Sequence, residues 1–177
     1  MFRKSLICLI VVLFVFFCSN VFAAQYENYE WGMSKKEAIK LVKENGYSIA
    51  GKSVYKEIGE ENIRYEDKLF HEKISVYLVF TPISKKLAYI TIKSENSSVG
   101  SKLKPILVDK YGEPRRPNEF EDKYIWSKSG YPVIILEYSF KSVCTYYSTK
   151  YTKVFQKEQQ KLNKEDVYYD IFFWAIS

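Results

Sequence analysis

The sequence predicts an α+β domain: two helix-plus-antiparallel-sheet halves form one compact body, with a C-terminal helix or tail. Three observations carry that expectation. Two helical stretches, each stopped by a glycine (Gly46 and Gly112), open successive halves of the chain. Apolar and polar residues alternate from Ile74 to Thr81 with the period of a strand that buries one face. The strand-like segments are joined by links too short for a parallel crossover, so neighbours in sequence should pair antiparallel.

Arg3 and Lys4 open the chain with positive charge, and Leu6 to Phe17 is an uncharged apolar run. Val21-Phe22-Ala23 then supplies the small positions of a cleavage site, so residues 1–23 read as a secretory signal peptide cleaved near Ala23. Ser19-Asn20 interrupts the run before it reaches the ~20 apolar residues that an uncleaved anchor would need. Cys18 raises the alternative of a lipidated cysteine, with Phe16 and Phe17 standing where such sites want small residues. The expected product is a single exported domain, residues 24–177, that is periplasmic or secreted. Its halves run over about 29–94 and 98–150, and residues 151–177 form the C-terminal segment.

The first helix is expected over residues 31–47. Ser34 and Glu37 have the spacing of a capping box, Ala38, Ile39 and Val42 give an apolar stripe, and Gly46 provides a left-handed stop. Ser53 to Ile58 and Asn62 to Leu69 flank Gly59-Glu60-Glu61 as a hairpin. Ile74, Val76, Leu78 and Phe80 define the next strand, Pro82 ends it, and Leu87 to Ser94 follows. A second helix should begin near Ser101, so that Pro105 falls near its first turn, and close at Gly112 and Pro114. Tyr124 to Ser127, Tyr131 to Phe140 and Val143 to Thr149 read as a three-strand meander. Lys153 to Lys164 suits a solvated helix along one edge, with Phe155 and Leu162 on one side. The aromatic run from Val167 to Ile176 is too short to span a membrane and is expected to fold back onto the domain.

Composition limits the chemistry. The chain has 177 residues, 18% aromatic and 47% hydrophobic, which is far too apolar for disorder. One His and three Cys exclude any site built from several of either. Only Cys144 survives signal removal, so an internal disulfide is excluded and the residue reads as a small buried hydrophobe, with intermolecular pairing the alternative. A body of ~150 residues hardly needs a staple, because it buries roughly 70% of its unfolded surface. His71 has no placed partner ligand and reads as an exposed hairpin residue, so no metal is expected. No glycine-rich phosphate loop and no Gly-x-Ser-x-Gly elbow occurs, and no cofactor is expected. Glu60-Glu61, Glu66-Asp67, Glu121-Asp122 and Glu165-Asp166 keep open the alternative of a carboxylate-pair hydrolase, although adjacent residues on a strand face opposite ways. Lys102, Lys104, Lys110, Arg115 and Arg116 form the densest basic cluster, read as a solvated face and, given export, not a nucleic-acid surface, with contact to anionic lipid or glycan phosphate the alternative.

The Trp31-Gly32-Met33-Ser34-x-x-Glu37 helix start, the Leu107-to-Pro114 helix ending and the later Trp126 resemble small exported bacterial domains of the BamE/SmpA-like and β-lactamase-inhibitor-protein-like group. The resemblance covers about residues 29 to 149. It implies helical segments that precede antiparallel strands, sometimes in tandem, and non-enzymatic protein binding in the cell envelope. It also implies that the sheet face away from the helices is the docking surface. Strand alternation assigns Tyr77, Val79, Tyr89, Val133, Ile135 and Tyr147 to that face. Tyrosine suits such a surface because it offers a large contact area at low entropic cost. The alternative is burial of the same residues against the other half or the C-terminal segment. The expected partner is an envelope protein; a structural, membrane-peripheral role is the remaining alternative.

Overall fold

A computed structural model describes residues 28–55, 60–118 and 121–162. The signal-like segment 1–23 and the aromatic run from Val167 to Ile176 lie outside these residues. The chain divides after Glu30. Of the first unit residues 28–30 are described, and the second, from Trp31 onward, contains every described helix and strand.

That second unit runs α1 (Lys35–Glu44), β1 (Ile49–Tyr55), β2 (Glu60–Leu69), β3 (Glu72–Phe80), β4 (Leu87–Ser94), α2 (Ser98–Tyr111), β5 (Lys123–Trp126), β6 (Val133–Glu137), β7 (Ser142–Tyr147) and α3 (Thr149–Lys161). The seven strands form one antiparallel sheet in the order β1-β2-β3-β4-β7-β6-β5. The fold class read from the sequence is therefore present, and the halves meet where β4 pairs with β7.

Local chemistry explains most boundaries. The capping box of α1 is complete: Ser34 Oγ accepts from the Glu37 N–H at 3.3 Å, and Glu37 Oε2 accepts from the Ser34 N–H at 2.7 Å. Gly46 and Gly112 both lie just past helix ends at positive φ, 81° and 85°. Phe70 and His71 join β2 to β3 with φ of 54° and 69°, so this tight hairpin uses the left-handed region at both central residues. His71 is exposed there, as read from the sequence.

Four boundaries differ from expectation. β1 starts at Ile49, before a register shift between Ile49 and Gly51 that breaks the alternation. α2 starts at Ser98, which places Pro105 in the helix interior. Tertiary bonds hold its early turn: the Gly100 N–H donates to Ser142 Oγ at 2.7 Å, and Ser142 Oγ donates to Asn96 O at 2.8 Å. Pro105 itself is exposed, where water can reach the carbonyl that its missing N–H leaves free. β6 ends at Glu137, Tyr138 turns aside to stack on Tyr124 with centroids 5.6 Å apart, and Phe140 is 91% exposed. α3 begins directly after β7, with Ser148 Oγ accepting from the Tyr151 N–H, and it packs on the sheet face instead of along an edge.

Strand register divides the sheet into two faces. One carries the rows Ile63-Leu78-Ile90-Tyr146-Ile134-Trp126 and Tyr65-Val76-Ile92-Cys144-Leu136-Tyr124. Helices α1 and α2 attend this face. Tyr47, just past α1, lies 4.9 Å from the Tyr65 ring, and Trp126 Nε1 donates to the carbonyl of Gly112 at the end of α2 at 2.8 Å. Ala38 and Val42 of α1 and Val99, Leu103 and Leu107 of α2 are buried. Apolar burial of this kind is the main force holding helix to sheet. Cys144 is a buried hydrophobe in its row, as expected, and burial pushes its thiol up to about 12. A thiol of that character is neither a nucleophile nor ready to pair with another chain.

Candidate functional site

The opposite face holds all six residues assigned from alternation. Val79, Tyr89, Tyr147 and Val133 form one continuous cross-strand row over β3, β4, β7 and β6. Tyr77, Thr91, Thr145, Ile135 and Ile125 form the next row. Period-two alternation within each strand and antiparallel register between strands are sufficient to bring them together. Thr91 and Thr145, which alternation did not single out, are both buried at the centre and share a hydrogen bond of 3.1 Å between hydroxyls.

The six residues differ in cover. Val79 and Tyr89 meet Phe155 of α3, with the Tyr89 and Phe155 rings edge-on at 5.8 Å. Val133 and Ile135 cluster with Ile125, and Tyr147 packs against them. Tyr89 and Tyr147 rings approach to 5.4 Å. Tyr77 and Tyr147 are half-buried. Tyr77 stands between two cations, with Arg64 5.9 Å and Lys93 5.0 Å from its ring centroid, a geometry in which the π face meets positive charge. Phe155 was the only α3 residue of this contact singled out by its sequence spacing; Tyr151 was hidden because the segment's polarity reads as a solvated helix.

Two carboxylates on β2 are engaged in ion pairs. Glu61 contacts Lys35 of α1 and lies 3.2 Å from Lys85 in the β3–β4 turn. Burial alone would raise its carboxyl, but the two lysines outweigh it and hold the group below the usual glutamate range. Glu66 accepts from Arg64 Nε at 2.9 Å and from Ser75 Oγ at 3.1 Å. Here too burial is outweighed, by Arg64 and Ser75 foremost. Both are therefore ionised anchors at neutral pH, the opposite of a general acid. Asp122 pairs with Arg116 at 3.7 Å. Glu165-Asp166 lies outside the described residues. Among the described residues no group of three His, Cys, Asp or Glu is placed to hold a metal ion, and no helix is long and apolar enough to cross a membrane.

The basic cluster from the sequence converges in part. Lys104 Nζ lies 3.9 Å and Arg116 Cζ 5.5 Å from the Tyr124 ring centroid. Tyr138 donates its hydroxyl to Tyr124 Oη at 3.4 Å, and this bond together with Lys104 lowers the Tyr124 phenol below its usual value. Burial foremost pushes the Tyr138 phenol up. Lys110 instead faces Tyr111, 5.4 Å from its centroid. Lys104, Lys110 and Arg116 thus lie against tyrosine faces, while Lys102, Lys110, Arg115 and Arg116 are exposed, as a solvated face would have them.

Comparison with protein-family models, curated protein sequences and solved structures gives no match for this chain.

Proposed function

We propose that this chain is an exported, non-enzymatic protein-binding domain of the bacterial cell envelope, as the BamE/SmpA-like resemblance implies. The observation that supports it is the pair of cross-strand rows joining Tyr77, Val79, Tyr89, Tyr147, Val133 and Ile135 on one side of a single sheet. On this reading the partner meets Tyr77 and Tyr147, which keep exposed area, while Val79, Tyr89, Val133 and Ile135 hold those rings from beside and below. Arg64 and Lys93 give the Tyr77 end a cationic margin that favours an acidic rim on the partner. A rigid sheet suits this work, because side chains fixed by register lose little entropy on binding.

The test is affinity capture from an envelope fraction with the processed protein, its N-terminus read by mass spectrometry. Tyr77→Ala and Tyr147→Ala should each weaken capture of the same partner, and Lys36→Ala on exposed α1 should not. Equal capture by all three variants, or an unprocessed chain found in the cytosol, refutes the proposal.

A further inference from the structure

The two sides of α3 differ sharply in chemistry. Thr152, Phe155, Glu158 and Gln159 are buried against the rest of the domain. On the outer side, Lys150, Lys153, Lys157 and Lys161 recur at steps of three, four and four residues, so they line up as one exposed stripe. At a rise of about 1.5 Å per residue the stripe is about 16 Å long. The one acid of the helix, Glu158, is turned inward onto the N–H groups of Ile83 and Ser84. None of the four lysines is ion-paired among the described residues. The other helices mix their charges: α1 exposes Glu37 and Glu44 among its lysines, with Lys40 paired to Glu44 at 3.5 Å, and α2 exposes Asp109 beside Lys110. Two exposed aliphatic side chains lie at the C-terminal end of the stripe. Leu162, 40% exposed, caps α3 one turn beyond Glu158, and Ile83, 50% exposed, sits on the turn that Glu158 holds.

We propose that the outer face of α3 seats the protein on a membrane surface that carries anionic phospholipid. Lysines three and four residues apart on one helix face repel each other, and an anionic surface turns that cost into attraction. Each lysine held near such a surface raises binding by about 5-fold, so four raise it by on the order of several hundred-fold. Lysine suits mobile headgroups because its ammonium is a point charge on a flexible stem and needs no fixed partner geometry. The aliphatic pair favours lipid over an acidic protein. A bilayer offers hydrocarbon just beneath its phosphates, so Ile83 and Leu162 can enter the interface at the end of the helix while Lys157 and Lys161 stay at headgroup level. The basic cluster around Tyr124 lacks this character, since Arg116 there lies 3.7 Å from Asp122. Membrane seating by α3 does not rest on the protein-binding reading.

The experiment sediments the purified protein, its N-terminus read by mass spectrometry, with vesicles of phosphatidylcholine alone and vesicles of equal parts phosphatidylcholine and phosphatidylglycerol. Binding should favour the mixed vesicles and fall away at about 1 M salt, where the screening length shrinks to about 3 Å. Lys153→Ala combined with Lys157→Ala should weaken it by about 25-fold. Lys36→Ala combined with Lys43→Ala on α1 makes the same change in net charge and should leave it unchanged. Lys153→Arg combined with Lys157→Arg keeps the charge and should keep the binding, and Ile83→Ser should weaken it without altering its salt dependence. All five side chains are exposed, and a thermal melt of each variant checks that the fold persists. Equal binding to the two kinds of vesicle, or equal losses from the α1 and α3 pairs, overturns the proposal. So does an absence of vesicle binding, which would leave an acidic protein as the counterpart of the stripe. Capture of a partner through Tyr77 and Tyr147 is read separately and is unaffected by any of these results.

Discussion

Replacing Glu158 by alanine should loosen the contact between α3 and the β3–β4 turn, with a loss that can be worked from the structure. One carboxylate oxygen of Glu158 accepts from the N–H of Ile83 at 2.7 Å and from the N–H of Ser84 at 3.0 Å. The residue is only 8% exposed although it lies on a polar helix. Hydrogen bonds to a charged group contribute about 1.5–3 kcal/mol each. Ile83 is 50% exposed, so water reaches the freed donors and discounts the pair to a net loss of about 2 kcal/mol. With a urea slope of about 2 kcal/mol/M, the unfolding midpoint should fall by about 1 M. Glu158→Gln retains an acceptor without the charge and should lose about half as much. The pH dependence has a definite sign. Burial raises the Glu158 carboxyl, but the bonds from Ser84, Ile83 and Thr81 outweigh it, so its folded value lies below the ordinary one. The unfolded chain therefore takes up the proton first as pH falls. The contribution is complete above the ordinary glutamate value of about 4.3 and disappears as pH drops through the lower folded value. Urea midpoints at pH 7 and at pH 3 for the native chain and both variants measure this. Unchanged midpoints at pH 7, or a native-to-variant gap that widens in acid, would refute the reasoning.

Gly100→Ala should destabilise, because the added Cβ would stand 2.2 Å from Tyr138 Cβ, an atom that the backbone fixes and no rotamer change can move away, and 2.7 Å from its Cγ. Overpacking of about 1–3 kcal/mol exceeds the helix preference of alanine, so the melting midpoint should fall by several degrees, and a rise would contradict the close approach of α2 to the sheet. Cys144 should resist thiol reagents in the folded protein at pH 8 and react once denatured, since its thiol is buried with a value pushed up to about 12; rapid native labelling would place it at an opening not seen here.

Local chemistry made α1, β3 and β4 legible. The Ser34–Glu37 box acts within one turn, and the Ile74-to-Phe80 alternation needs only that one face be buried. The six candidate docking residues were legible for the same reason, since parity along a strand assigns a face before any partner strand is known. The start of α2 was not, because Ser142, far along the chain, completes the turn around Gly100. The shortening of β6 was hidden as well: Tyr138 leaves the strand to stack on Tyr124 of β5 and press on Gly100 of α2, contacts with residues 14 or more positions away along the chain.

By itself the sequence determined the element types, the antiparallel neighbours joined by short links, and which side chains share a face. These follow from hydrogen-bond geometry and side-chain period over a few residues. Only the tertiary structure decided that β4 and β7 pair to merge two halves into one sheet, and that α3 turns back so that Phe155 covers Val79 and Tyr89. The physical reason is range: pairing between distant strands and the path of a helix after its cap depend on competing burials across the whole body, which no short window of residues contains.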